Sequence, residues 1–419
     1  MRHINEELFN ECYGKIKKNF MEISKNNLYY RNLFNKYKFN IEELLNYNDF
    51  CKIPIMTKQD YLYNIDYFEK VISNEIYNVL YTSGSTGKPV KIFITKKDDT
   101  SRNMILCMYR NRISKNIICE KMLLIHYLNI KGNEEYLIED KGKQCQHFCY
   151  GCINDGVLEE IYKFLKQFQP KWIVGNTSII YAFSEYIKKS GKSLSGMDIR
   201  YIECISEYIT TEQRNSIKEV FNLNPKSAYG SNEVNTIAIE CVNGNMHVIK
   251  ESVFVEIVNQ NEQGIGDILV TSLDNRLTPF LRYSLGDKGR WVNAECNCNF
   301  KSPILEITRY RSNDFLLKKD GTRMEVWNLN SALRESTNKT NFQIKQYQFI
   351  QIDYNLFKLK ILEKEDGNNM NKAMFESYFI EEFSSIFQEK VIVEFEYVKE
   401  TIPVESKNGK FKYFKSMLT

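Results

Sequence analysis

Hydrophobic positions in the middle of the chain switch between a period near 3.6 and short unbroken runs, the mark of helices alternating with buried strands. Val157, Leu158, Ile161, Leu165 and Phe168 share one face of a helix predicted over residues 155–168, and Pro170 ends it. Trp172-Ile173-Val174-Gly175 follows as a short buried strand. Residues 177–189 return to helical spacing, with Gly191 placed to cap them. Residues 201–206 read as a second strand. Thr210 and Gln213 then form a capping box for a helix carrying Ile217, Val220 and Phe221. Strand, helix, strand, helix at this spacing predicts a sheet covered by helices, an α/β region.

The pattern changes after about residue 250. Residues 253–258 and 267–273 read as strands joined by a turn at Gly264 and Gly266. Strands over 347–353 and 357–362, a helix over 370–387 and a strand over 391–398 close the chain. They make an α+β unit of about 100 residues, the length of a small domain. The boundary is expected within 309–320, which divides the chain into domains 1–310 and 311–419.

Composition narrows the function classes. With 419 residues, 43% hydrophobic and 26% charged, the chain has a globular balance and enough apolar material for two or three domains. Its net charge of +4 is too small over this length to point to nucleic acid. Runs such as 253–258 are broken by charge and fall far short of the roughly 20 residues of a membrane span. The first seven residues, Met1 to Glu7, mix charge and carry no apolar stretch, so no signal peptide is expected. Eleven scattered cysteines, an odd number, read as reduced thiols or metal ligands and not as a disulfide framework. The expected location is the cytoplasm.

The segment with most chemistry is Tyr81-Thr82-Ser83-Gly84-Ser85-Thr86-Gly87-Lys88-Pro89-Val90. Alternating hydroxyls and glycines expose backbone N–H groups to an oxyanion, and Lys88 adds positive charge. This is a phosphate-loop composition but not a Walker A motif, because Thr82 replaces the first glycine and Pro89 follows the lysine. Taken alone, a flexible Ser/Gly turn between strands also fits. Three later segments bear on it. Ala228-Tyr229-Gly230-Ser231-Asn232-Glu233 puts an aromatic, a glycine and a carboxylate together after a strand. The stretch from Thr278 to Asp287 places Asp287 at a glycine turn, and Asn408-Gly409-Lys410 puts a lysine on a polar loop near the C-terminus. Each alone has a plain reading: a core tyrosine, a turn aspartate, a solvated basic tail.

Together and in this order the segments resemble the adenylate-forming superfamily, specifically its phenylacetate–CoA ligase-like branch. The resemblance runs from Ile53-Pro54-Ile55-Met56-Thr57-Lys58 to Lys410, and Gln169 to Ser178 also looks like that branch's strand-to-helix segment. It implies a large N-terminal AMP-binding α/β region with a β-rich subdomain and a small mobile α+β C-terminal domain, the active site lying in the cleft between them. By the same resemblance Thr82, Ser83, Gly84, Ser85, Thr86, Gly87 and Lys88 hold the β- and γ-phosphates of ATP. Tyr229, within Tyr229-Gly230-Ser231-Asn232, stacks on adenine, and Glu233 helps hold Mg²⁺, a hard cation that favours carboxylate oxygen. Asp287 accepts the ribose hydroxyls, Arg311 contacts the ribose region at the domain boundary, and Lys410 neutralises charge where the acid attacks the α-phosphate. Three positions depart from the family pattern: Asn232 stands where Thr or Ser is usual, Tyr310 where Gly precedes the arginine, and Asn313 where the hinge aspartate sits, with Asp314 following.

Two Cys/His clusters compete as metal sites. Cys145, His147, Cys149 and Cys152 lie within eight residues, but one-residue gaps make a single tetrahedral site hard to close. Cys241 and His247 flank Gly244, and Cys296 and Cys298 form a CxC pair after the Asp287 motif. Members of the branch show a similar pattern and some bind zinc there, so a closed structural Zn²⁺ site is expected at this second set, against unpaired reduced thiols. The lone His126 reads as a core histidine. The resemblance further implies an acid pocket lined from 201–208 and 227–237, where Tyr208, Tyr229 and Ile237 suit a flat apolar acid and Asn232 or Asn235 could bond a polar substituent. The expected activity is ATP-dependent activation of a small-molecule carboxylic acid, aromatic in the leading reading, to an acyl-adenylate. Transfer to a thiol follows, coenzyme A or the phosphopantetheine of an acyl carrier protein, with roles in secondary metabolism known in the branch. An amine or alcohol acceptor, and a nucleotide-binding protein of the same fold without turnover, stand as alternatives. Neither nucleic acid nor membrane is an expected partner.

Overall fold

A computed structural model describes residues 2–69, 76–81, 90–128, 134–311, 315–325, 327–363, 372–400, 402 and 412–418. The chain divides into two compact units, Met1–Ile307 and Thr308–Thr419.

The first unit opens with helices α1 (Arg2–Asn26), α2 (Leu28–Lys36), α3 (Tyr47–Phe50), α4 (Lys58–Tyr63) and α5 (Ile65–Glu69). Strands β1 (Ile76–Tyr81) and β2 (Lys91–Thr95) pair antiparallel and lead into α6 (Lys96–Ile113). The α/β core follows: β3 (Met122–Tyr127), β4 (Tyr136–Asp140), β5 (Cys145–Tyr150), α7 (Asp155–Phe168), β6 (Trp172–Asn176), α8 (Thr177–Ser190), β7 (Tyr201–Ile205) and α9 (Thr211–Phe221). Next come β8 (Lys226–Ser231), β9 (Asn235–Glu240), β10 (Met246–Val248), β11 (Val253–Val258), β12 (Gly266–Ser272), β13 (Tyr283–Val292) and β14 (Ile304–Arg311). Twelve strands form one mixed sheet in the order β11-β12-β13-β14-β10-β9-β8-β7-β6-β3-β5-β4. Its β5-β3-β6-β7-β8 stretch is parallel, and β8 onward turns antiparallel.

Local chemistry accounts for the predicted part of this. The α7 helix begins where the Asn154 side chain accepts from the Val157 N–H and ends on Gln169 in the left-handed region. Gly191, at φ 65°, closes α8, and the Thr210/Gln213 capping box opens α9. Val157, Leu158, Ile161 and Leu165 pack with Ile179, Ile180 and Phe183 of α8 on one sheet face, in the core that also holds Leu123, Ile125 and Phe148. β11 and β12 pair antiparallel across the Gly264 region as expected.

A separate core joins α1–α5 to β11–β13. Phe9, Phe50 and Phe254 meet at ring distances of 5.3 to 5.8 Å, beside Phe20, Phe280 and Trp291. An ion pair is buried in it. Arg282, at φ 47°, donates to both oxygens of Glu256 at 3.1 Å and to the carbonyls of Cys51 (2.8 Å) and Ile53 (2.7 Å). Tyr47 Oη donates to Glu256 at 2.9 Å, and Asn5 Nδ2 donates to Tyr47 Oη at 3.2 Å. Asn5 also takes Trp291 Nε1–H at 2.7 Å and pairs with both backbone groups of Ile257. Beside this network Met56 N–H donates to the Arg282 carbonyl (3.1 Å) and Ser284 N–H to the Met56 carbonyl (2.8 Å). The N-terminal helices, the segment 53–58 and the start of β13 are thereby one piece.

The second unit holds the short β15 (Phe315–Leu317) and β16 (Arg323–Glu325), then α10 (Trp327–Thr340), β17 (Ile344–Gln351), β18 (Leu356–Glu363), α11 (Lys372–Phe387), β19 (Ile392–Val398) and β20 (Phe414–Ser416). The last four strands order as β19-β18-β17-β20. Phe375, Phe379, Phe383 and Phe387 recur every four residues along α11 and are all fully buried in one core with Phe349 and Phe357 of the sheet. This is the α+β unit the tail pattern predicts. Among the described residues no helix is long and apolar enough to cross a membrane.

The buried ion pair sets a stability prediction. Removing either partner leaves an uncompensated charge in an apolar core, which costs about 3–5 kcal/mol. Glu256→Ala and Arg282→Ala are each expected to lower the unfolding free energy by that amount, read as a lower denaturant midpoint at an unchanged slope. A loss below about 1 kcal/mol, the worth of an exposed pair, would show that the network does not hold the subdomain.

Candidate functional site

The site grows from the β8–β9 hairpin and from β13. Tyr229, Gly230 and Ser231 end β8; Asn232, Glu233 and Val234 turn the chain; Asn235, at φ 64°, begins β9 opposite Ser231. A three-residue loop followed by a left-handed residue suits a tight hairpin. Gly230 allows the strands to close: a Cβ there would meet the Asn235 carbonyl oxygen at 2.4 Å and Thr236 Cα at 2.9 Å. Asp287 does not sit at a turn, as the sequence suggests, but inside β13. Gly286 takes φ 74° and the β12–β13 register slips between Asp267 and Leu269, so the strand bulges and continues. Such a bulge re-aims the side chain that follows it.

Three contacts join segments far apart in the chain. Tyr229 Oη donates to Asp287 Oδ2 at 2.9 Å, across 58 residues. Tyr283 Oη donates to Glu233 Oε1 at 3.3 Å, and Glu233 is buried. Asn232 Nδ2 donates to the Tyr81 carbonyl at 2.8 Å, at the residue that precedes Thr82. Asn232, flagged as a departure, therefore ties the hairpin turn to the entrance of the Ser/Thr/Gly segment. A threonine is too short and lacks the N–H₂ to do the same. Thr82, Ser83, Gly84, Ser85, Thr86, Gly87, Lys88, Asn313, Asp314 and Lys410 lie outside the described residues, and Arg311 is the last residue of β14.

One lining residue is corrected. Ile237 is fully buried within the core shared with α1–α5, which covers this part of β9, so it lines no open surface. Tyr208 is 44% exposed and Tyr229 half-buried. Sequence reasoning missed Tyr283 and Arg282, although both flank the Asp287 motif. Their adjacency to it in Leu281-Arg282-Tyr283-Ser284 was the available signal.

The dispersed Cys/His set does gather. The ligand atoms of Cys241, His247, Cys296 and Cys298 all lie within 4.8 Å of one another. Cys241 Sγ and Cys296 Sγ are 3.7 Å apart, and Cys298 Sγ is 3.3 Å from His247 Nε2. His247 Nδ1 is 2.8 Å from the Ser302 carbonyl, which fixes the ring and orients Nε2 toward the sulfurs. Burial alone would raise the Cys296 thiol, but hydrogen bonds from Asn245, His247 and Cys298 bring it below its ordinary range. Three thiols and an imidazole at these spacings can hold a soft or borderline divalent metal. The compact Cys145 cluster does not gather in this way. Cys145, His147 and Cys149 lie on β5, while Cys152 is past its end and accepts from Asn154 Nδ2 at 3.4 Å.

Gly230→Ala is the direct test of the hairpin geometry. The 2.4 Å clash against backbone cannot relax through a side chain, so a loss of about 1–3 kcal/mol, typical of overpacking, is expected in thermal unfolding. An unchanged midpoint would contradict the strand approach described.

Comparison with known proteins places this geometry. Residues 316–417 match the family model described as the CapK C-terminal domain. Over 391 residues the chain is 28% identical to Protein CapK of Staphylococcus aureus, covering 88% of this chain and 81% of that protein. It is 22% identical over 305 residues to a phenylacetate-coenzyme A ligase of Pseudomonas putida, covering 69% of this chain and 67% of the ligase. Among solved structures, 2-hydroxyisobutyryl-CoA ligase in the postadenylation state superposes with a TM-score of 0.71 at 14% identity, covering 96% of this chain and 88% of that one, a likeness of fold. The motif order, the curated relatives and the fold agree, and the chain is similar to the phenylacetate–CoA ligase-like branch of the adenylate-forming superfamily.

Proposed function

We propose that this protein is an ATP-dependent acid–thiol ligase. A carboxylate oxygen attacks the α-phosphorus of ATP, the bond to pyrophosphate breaks, and an acyl-adenylate forms. A thiol sulfur, of coenzyme A or a carrier-protein phosphopantetheine, then attacks the acyl carbon, loses its proton, and AMP leaves. The observation that carries this reading is the 2.9 Å bond between Tyr229 and Asp287. It joins two segments assigned to adenine and ribose, which a nucleoside needs side by side.

The residue roles follow from charge and shape. Tyr229 offers a ring face to adenine while its hydroxyl holds Asp287, whose other acceptor positions serve the ribose hydroxyls. Glu233 fits a Mg²⁺ ligand: it is a buried carboxylate with about four acceptor positions, of which Tyr283 occupies one. Mg²⁺ supplies charge neutralisation on the phosphates. Thr82 to Lys88 would cradle the β- and γ-phosphates through N–H groups, entered from the Tyr81 end that Asn232 anchors. Lys410 and Arg311 would stabilise charge at the α-phosphate and ribose, from a mobile domain 311–419 acting on an AMP-binding domain 1–310. No covalent nucleophile is required. A flat aromatic acid remains the leading substrate, supported by the tyrosines Tyr208 and Tyr229 and by the phenylacetate-coenzyme A ligases among the relatives. Cys241, His247, Cys296 and Cys298 would close a structural Zn²⁺ site that cross-links the β9–β10 turn to the segment after β13.

Two outcomes are expected. Lys410→Ala abolishes acid-dependent ATP–pyrophosphate exchange while leaving ATP binding intact, and Asp287→Ala weakens ATP binding at least about tenfold, since a hydrogen bond to a charged group is worth about 1.5–3 kcal/mol. Exchange at the wild-type rate in Lys410→Ala would remove the lysine from the mechanism. Purified protein is also expected to carry one tightly held zinc that the Cys296→Ser/Cys298→Ser pair loses, with a lower unfolding temperature, read by elemental analysis and calorimetry. Metal-free protein of unchanged stability would favour plain reduced thiols.

A further inference from the structure

A second gathering of metal-ligating side chains lies on β3, β4 and β5, outside the nucleotide site and outside the Cys241 set. Strand alternation places Cys145, His147 and Cys149 on one face of β5. The parallel register sets His126 of β3 beside Cys149, and the antiparallel register sets Glu139 of β4 beside His147. The side chains meet as the registers dictate. His126 Nε2 is 3.2 Å from Cys149 Sγ, close to the 3.3 Å between His247 Nε2 and Cys298 Sγ in the first cluster. The rings of His126 and His147 stand perpendicular with centres 5.6 Å apart. His147 Nδ1 is 3.6 Å from Glu139 Oε2, and Lys141 Nζ contacts the same carboxylate oxygen at 2.9 Å.

This is the layout of a His–Cys–His site with a carboxylate behind one imidazole. When Glu139 holds Nδ1 of His147, the other ring nitrogen is the one left to ligate.

We propose that His126, Cys149 and His147 bind a divalent transition metal of borderline softness, with Zn²⁺ the best match to two imidazoles and a thiolate. Binding forms two N–metal bonds and one S–metal bond and releases the Cys149 proton to solvent. The site is less preorganised than the first. Only the Cys241 set, among the described residues, has all its ligand atoms within 4.8 Å of one another, so His147 must turn to complete the second. The second site is therefore the weaker of the two. Its consequence is mechanical: β4 ends the sheet, paired to β5, and the metal would tie β5 to β3 with Glu139 of β4 drawn in behind.

The test is metal titration of the full chain after removal of bound metal, with Zn²⁺ followed by calorimetry and Co²⁺ by its tetrahedral thiolate spectrum. Wild type is expected to take up one equivalent more than Cys149→Ser and one more than His147→Gln. The half-buried His147 position keeps the test decisive if the Cys149 variant fails to fold. Cys296→Ser/Cys298→Ser is expected to keep this weaker equivalent, which separates it from the first cluster. Equal uptake by wild type and His147→Gln overturns the proposal.

Discussion

The Arg282–Glu256 pair holds the rest of the first unit in register. It lies where three pieces of chain with no sequence proximity converge: the N-terminal helices through Tyr47 and Asn5, the segment around Met56 through backbone bonds, and β13 through Arg282 itself. A guanidinium cannot shed its charge, so its burial requires the Glu256 carboxylate and the Cys51 and Ile53 carbonyls together. That requirement fixes where β13 starts. From Arg282 the next residue is Tyr283, which supports Glu233, and five residues on is Asp287, which receives Tyr229. The proposed nucleotide site thus inherits its position from an ion pair outside it.

On that frame the proposed chemistry needs little from the protein beyond placement. A phosphorus centre attacked by a carboxylate gains from oriented N–H groups, a hard cation and positive charge, and not from a covalent nucleophile. The hairpin satisfies this economically in geometric terms: one glycine lets β9 approach, one asparagine ties the turn to Tyr81, and one tyrosine braces the aspartate.

The parts of the fold legible in the sequence are those governed by local rules. The helices from Asp155 to Phe221 and the strands between them follow from apolar spacing, Pro170, Gly191 and the Thr210 capping box, each acting within a few residues. The Cys241–Cys298 cluster was legible by ligand type and a turn glycine. Asp287 was read as a turn residue because Gly286 looks the same to local reasoning in a turn and in a bulge; only the β12 partner distinguishes them. Ile237 was misplaced for a related reason, since the face a strand residue presents depends on what covers the sheet. Helix α1 was not predicted, although Leu8, Cys12, Ile16, Phe20 and Ile23 recur at helical spacing and are all buried. The contacts of Asn232 and Tyr283 could not be read at all, because each joins segments 50 or more residues apart.

The most direct measurement is acid-dependent exchange of pyrophosphate into ATP by the wild-type chain, against aromatic, amino and short aliphatic acids, with no thiol present. The account predicts exchange with one acid class and none without acid, since adenylation precedes and does not need the acceptor. Tight ATP binding with no exchange across the whole panel would contradict it, leaving a nucleotide-binding protein that keeps the fold without the reaction.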